Sequence, residues 1–186
     1  MQHLAKDELL SFLRAARDTR ERDWLMFLVA YWHGLRASEV VHLQRTAIAN
    51  GMLTVRRLKG SDTTTQPLVE DEDPLLNERA AVETLARSTP PTSPMFPFSR
   101  VHYFRLFRKY AKRAGLPEHK WHPHTLKHSV ARHHIREMGI ENMRKYLGHK
   151  SMASTGEYLK VTDEEASAAM ARARRQAAKK SDGEKS

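Results

Sequence analysis

Histidines and basic side chains crowd one stretch of this chain, and two chemistries suit such a crowd: holding a metal ion or handling phosphate. His119, His122, His124, His128, His133 and His134 fall close together, with His124 and His128 spaced to share one helix face. The chain has no cysteine, however, and no Asp or Glu stands near enough in sequence to complete a familiar ligand set, so metal binding is disfavoured. Phosphate chemistry fits the charge distribution better. Residues 100–150 carry 13 Lys/Arg against 3 Asp/Glu, whereas residues 1–99 carry 12 against 13. A solvated helix face mixes both signs, so a one-sided block points to a polyanionic partner. Breaking a phosphodiester without a metal requires a nucleophile, cations on the phosphoryl oxygens, and an acid for the leaving alkoxide. A tyrosine, with a free pKa of ~10, serves as that nucleophile only where nearby cations favour its phenolate.

Four short motifs resemble those of the tyrosine recombinases, also called phage integrases. Gly34-Leu35-Arg36-Ala37-Ser38-Glu39 resembles the family's first arginine box. His122-Pro123-His124-Thr125-Leu126-Lys127-His128-Ser129 resembles the second, usually written H-x-x-R. Leu147-Gly148-His149, with Tyr158 nine residues later, resembles the last box and its nucleophile. Lys59 precedes a turn where the family keeps a mobile catalytic lysine. Their order and spacing extend the resemblance over residues 1 to about 178.

The resemblance implies the following roles. Arg36 binds the scissile phosphate with its planar donors, and Glu39, one helical turn on, holds the arginine. Lys59 protonates the leaving hydroxyl. His124 and His149 donate to phosphate oxygens and shuttle protons. Tyr158 attacks the phosphorus, giving a covalent 3′-phosphotyrosine and a 5′-hydroxyl. The phosphotyrosyl bond conserves the energy of the broken one, so no cofactor, metal or ATP is implied. Lys127 departs from the family pattern, standing where most members have a second phosphate-binding arginine. It keeps the charge and loses the fork. An active enzyme is the favoured reading; the alternative is a non-catalytic DNA-binding module that keeps the fold. A type IB topoisomerase and a metal-dependent nuclease complete the alternatives. The span from Gly139 to Gly148 is short for the family and implies a shortened helix before His149.

The elements that must position these residues are mostly helical. Apolar spacing predicts helices over about Leu4–Arg17, Arg20–His33, Ser38–Gln44, Pro74–Arg87, Ser99–Ala114 and Thr125–Met138. Shorter ones are predicted at Glu141–Leu147 and Ser154–Leu159, and a final amphipathic helix at Asp163–Ala178. Met52–Val55 and Thr63–Thr65, with Gly60-Ser61-Asp62 between them, predict an antiparallel hairpin, with a third strand near Ala47. Pro90–Pro97 must be extended loop. The expected fold is α+β and predominantly helical, with helices around a small antiparallel three-stranded sheet: one catalytic domain over 1–178 and a disordered polar tail at 179–186. The stretch Arg56-Arg57-Leu58-Lys59 could instead contact DNA backbone, and His128, His133 and His134 are expected in packing or backbone contacts.

No apolar run resembles a signal peptide, because Lys6, Asp7 and Glu8 interrupt it. The stretch from Trp24 to Trp32 is too short to cross a bilayer. A cytoplasmic, nucleoid-associated protein is expected. By the resemblance, its partner is double-stranded DNA carrying specific half-sites. The family also implies a homo-tetramer on that DNA, with Asp163–Ala178 passed to a neighbouring copy. Family members usually carry an N-terminal DNA-clamping domain; its absence here implies either a fragment or a compact enzyme like the fimbrial invertases.

Overall fold

A computed structural model describes residues 2–58, 61–151, 155, 170 and 174. The chain runs α1 (Lys6–Arg17), α2 (Glu21–Trp32), α3 (Ala37–Val41), β1 (Ile48–Ala49), β2 (Met52–Val55), β3 (Thr64–Pro67), α4 (Arg79–Ser88), α5 (Arg100–Arg113), α6 (His124–Met138) and α7 (Ile140–Tyr146). This is the predicted α+β architecture, helices around one antiparallel sheet of order β1-β2-β3.

The continuous run Asp23–Tyr31 makes α2 the central helix, because a helix apolar all round is stable only when covered on every side. It packs against α1 and α6. Phe12, Phe27, Tyr103, Phe107 and Tyr110 interlock between α1, α2 and α5, with Phe12 and Phe107 centroids 4.8 Å apart. The one acid inside this layer, Asp23, is satisfied by the Tyr110 hydroxyl, which donates at 2.6 Å. α1 begins at a capping box, where Glu8 accepts from the Ala5 N–H at 2.7 Å. The same carboxylate accepts from Lys120 Nζ, so the first turn of the chain is clipped to the segment that leads into α6. His133 makes a second clip. Its Nε2 donates to the Leu4 carbonyl at 2.8 Å, which leaves Nδ1 to accept from the Tyr31 hydroxyl at 2.9 Å.

In the sheet, Val55 pairs with Thr64 and Met52 with Pro67. An Asn50-Gly51 turn with both φ positive joins β1 to β2. Strand alternation turns Leu53 and Val55 inward, and Thr64 and Gln66 on the partner strand likewise.

Three boundaries differ from expectation. The chain over 74–78 is a turn, and α4 begins only at Arg79. Asp73 Oδ1 accepts from the Leu75 N–H at 2.8 Å, and the turn aims the Leu75 and Leu76 carbonyls at the indole N–H groups of Trp24 and Trp32. That contact outweighs local helix propensity. α3 stops at Val41, because Leu43 and Gln44 are drawn to Met95 and Pro94 by backbone pairing. β3 covers Thr64–Pro67 rather than Thr63–Thr65. The predicted helix at Asp163–Ala178 and most of the one at Ser154–Leu159, like the tail at 179–186, lie outside the described residues. No helix among the described residues is long and apolar enough to cross a membrane.

Candidate active site

Arg36 is the N-cap of α3 and is half-buried. Its own backbone N–H donates to Glu39 Oε2 at 2.8 Å and its guanidinium to Oε1 at 2.9 Å. Local sequence produces this arrangement: an acid three residues past an N-cap faces the first turn. Glu39 also accepts from the Leu58 N–H at 3.1 Å, at the end of β2's extension. Burial alone would push the Glu39 carboxyl up. The Arg36 and Leu58 N–H groups, with the charges of Arg57 and Lys127, outweigh that and hold it below the usual carboxylate range.

Gly34 opens the first box at φ +56, and a Cβ there would lie 2.5 Å from Leu147 Cδ2. The third box therefore packs directly on the first, and the positive φ favours glycine at this position. Gly148 repeats the device at φ +68, where a Cβ would lie 2.8 Å from the Asp62 carbonyl and 3.0 Å from Arg57 Cγ.

Lys127 is buried, 4% exposed, one helical turn beyond His124 on α6. Its Nζ donates to the Leu147 carbonyl at 3.4 Å. Burial, together with Arg57 and Arg36 nearby, pushes its amine down to about 7, with Glu39 partly opposing. His149 is buried, its Nδ1 3.0 Å from the Thr155 hydroxyl. Burial, then the charges of Lys127, Arg36 and Arg57 and the neighbouring His128, lower this imidazole to about 4. Arg36, Glu39, Lys127 and His149 thus converge from three separate chain segments.

His124 stands exposed at the first residue of α6, its ring stacked on His122 at 5.1 Å and 6.3 Å from His128. His128 is itself half-buried, and burial, then His124 and Lys127, lower it to about 4. Among the described residues, no group of three His, Cys, Asp or Glu side chains could hold a metal ion. His133 and His134 pack against Tyr31 and Trp32 at the far end of α6. Lys59 and Tyr158 lie outside the described residues.

The alternative that places Arg57 on DNA backbone is not met: its side chain is fully buried. Its Nε donates to Thr64 Oγ1 at 2.9 Å, NH1 to the Gly34 carbonyl at 3.2 Å and Glu39 Oε2 at 3.4 Å, and NH2 to the carbonyls of His33 at 2.8 Å and Tyr146 at 3.3 Å. The physical reason is parity: Arg57 continues the inward face of Leu53 and Val55, while Arg56 points outward. Beneath it lies a second polar layer that sequence reasoning missed. The His33 ring lies 2.6 Å from Gln66 Oε1 and 2.7 Å from Glu78 Oε1, and the Gln66 amide donates to the Tyr146 carbonyl at 2.6 Å.

A model of the phage integrase family matches residues 2–165. The chain belongs to the phage integrase family. Members similar to it include the tyrosine recombinase XerA of Pyrococcus furiosus, 32% identical over 91% of this chain and 61% of that protein. The type 1 fimbriae regulatory protein FimE of Escherichia coli is 29% identical over 75% of each chain. The chain thus spans about three-fifths of the length of XerA. Among solved structures, XerA recombinase superposes with a TM-score of 0.74 at 22% identity, covering 94% of this chain and 65% of that one. A lambda integrase dimer bound to a COC' core site superposes at 0.65 and 23% identity, covering 84% and 58%. At such identities the superpositions establish the fold: the sheet and helices that gather this site are those of the family.

Proposed function

We propose that this chain is the catalytic domain of a tyrosine-type site-specific DNA recombinase. The observation that carries the reading is the convergence of Arg36, Lys127 and His149, with the Glu39 carboxylate already holding Arg36 in place. Such a cluster of cations and imidazoles suits a phosphoryl group whose charge grows in the transition state. Arg36 and Lys127 contact the scissile phosphate, and binding it returns Lys127 to its ammonium form. His124 and His149 donate to phosphoryl oxygens. The Tyr158 phenolate attacks phosphorus, the bond to the 5′ oxygen breaks, and Lys59 supplies the proton that the leaving oxygen takes. The product is a 3′-phosphotyrosine and a 5′-hydroxyl; attack by a 5′-hydroxyl of another strand reverses the step. Neither metal nor ATP enters this balance.

The partner is double-stranded DNA with specific half-sites. Arg105, Arg108, Lys109 and Lys112 are exposed along α5 and supply phosphate contacts. On DNA the chain works as a tetramer, with Asp163–Ala178 passed to the neighbouring copy.

A suicide substrate carrying a nick beside the cleavage position tests the reading. The wild type should become covalently attached to DNA, and Tyr158→Phe should not. A wild type that binds a cognate site but gives no adduct refutes the enzyme and leaves the DNA-binding module.

A further inference from the structure

Arg57 is the most connected polar side chain of the described site, yet it contacts neither solvent nor any surface that DNA could reach. Its five donors reach four chain segments. These are the turn before Arg36 through the His33 and Gly34 carbonyls, α3 through Glu39, β3 through Thr64, and the end of α7 through the Tyr146 carbonyl. Its stem is the surface on which Gly148 rests, since a Cβ on Gly148 would lie 3.0 Å from Arg57 Cγ. The segments it joins are those that carry Arg36 and His149. Gln66 bridges the same two segments one layer below, through the His33 ring and the Tyr146 carbonyl, but Arg57 also reaches Glu39.

We propose that Arg57 is a positioning residue for the catalytic constellation, locking the first and third boxes and the Glu39–Arg36 pair into one rigid arrangement. The inference rests on the reading of Arg36 and His149 as phosphate ligands. A guanidinium suits this task because its planar fork serves several fixed acceptors at once, which an ammonium cannot. Three of the acceptors are main-chain carbonyls, those of His33, Gly34 and Tyr146. The Glu39 carboxylate gives the buried cation its counter-charge, and Glu39 in turn orients Arg36. Displacing Arg57 therefore releases Arg36 and the Tyr146–His149 turn together. A shift of about 1 Å in such a constellation costs on the order of a hundredfold in rate.

The test compares wild type with Arg57→Lys, which keeps the charge and loses the fork. A second variant, Thr64→Val, removes only the hydroxyl that accepts from Nε and keeps the experiment decisive should Arg57→Lys not fold. Two quantities are measured on each folded variant. The first is the single-turnover cleavage constant at saturating DNA, beside the dissociation constant for the same duplex. The second is the 15Nε–H order parameter of Arg36 in free protein, which is read without cleavage. Arg57→Lys should cleave at least tenfold more slowly, with DNA affinity within about threefold and a lowered Arg36 order parameter; Thr64→Val should move the same way by less. A folded variant that cleaves within twofold of wild type and leaves Arg36 as ordered as before overturns the proposal. If the wild type itself forms no adduct, the recombinase reading fails, and the Arg36 order parameter alone decides the positioning role.

Discussion

Replacing Lys127 with methionine should flatten part of the pH dependence of stability, and the size of the effect follows from the environment of the amine. Lys127 Nζ is buried with the Leu147 carbonyl as acceptor at 3.4 Å, beside Arg57 and Arg36. Burial first, and those guanidinium charges second, push it from an ordinary 10.5 to about 7. In the unfolded chain the amine holds its proton up to its ordinary value, so between about pH 7 and 10.5 the unfolded state binds more protons than the native state. Stability therefore rises with pH across this window, by at most about 1.4 kcal/mol per unit from one group. From pH 7 to 9 the contribution of Lys127 is about 2 kcal/mol. Methionine of similar length has no proton to lose and escapes this slope. Urea unfolding of wild type and Lys127→Met at pH 7 and 9 reads this contribution, because titrating groups remote from Lys127 cancel in the difference. The stabilisation of Lys127→Met relative to wild type should shrink by about 2 kcal/mol on going to pH 9. Parallel pH dependences of the two proteins refute the account of Lys127 as a suppressed ammonium. Lys127→Arg, charged throughout, should hold its DNA affinity above pH 8 where the wild type weakens.

Other outcomes follow from the same geometry. Glu39→Gln leaves the buried Arg57 without its counter-charge and should cost about 3–5 kcal/mol, seen as a melting temperature lower by roughly 10 °C for a chain of this size; a change under 2 °C counts against the network. Gly148→Ala meets both a positive φ and the Asp62 carbonyl 2.8 Å from the new Cβ; a loss of at least about 1–3 kcal/mol in urea unfolding is expected. Removing one exposed cation of α5, as in Arg108→Gln, should weaken DNA binding on any sequence and reduce the slope of log affinity against log salt by about 1. An unchanged slope would remove α5 from the interface.

Much of the fold was legible because its signals are local. The unbroken apolar run of α2 demanded a central position, Ser99 announced α5 by accepting from the His102 N–H, and turn residues separated the strands. Boundaries failed where a distant group intervened: the indoles of Trp24 and Trp32 claim the carbonyls of Leu75 and Leu76 and keep that segment from joining α4. In the site, Arg36 and Glu39 were readable together because three residues bring them face to face within one helical turn. The burial of Arg57 was missed because arginine is seldom buried. The strand parity that turns it inward was present in Leu53, Val55 and Arg57 all the same.

The sequence by itself determined the types of group and their order: a basic block over 100–150, boxes around Arg36, Lys127 and His149, and the helices that carry them. These depend on neighbours a few residues apart, which any reader of the chain can count. The tertiary structure alone decided how each buried cation is held. Lys127 and Arg57 are both basic residues, 70 positions apart, and both are buried. One has its proton loosened by burial and by the neighbouring guanidinium charges; the other finds five hydrogen-bond acceptors and is locked in place. That difference is set by the carbonyls, carboxylate and hydroxyl that folding delivers from His33, Gly34, Glu39, Thr64 and Tyr146. Proton affinity is a property of the assembled surroundings, and no residue type contains it.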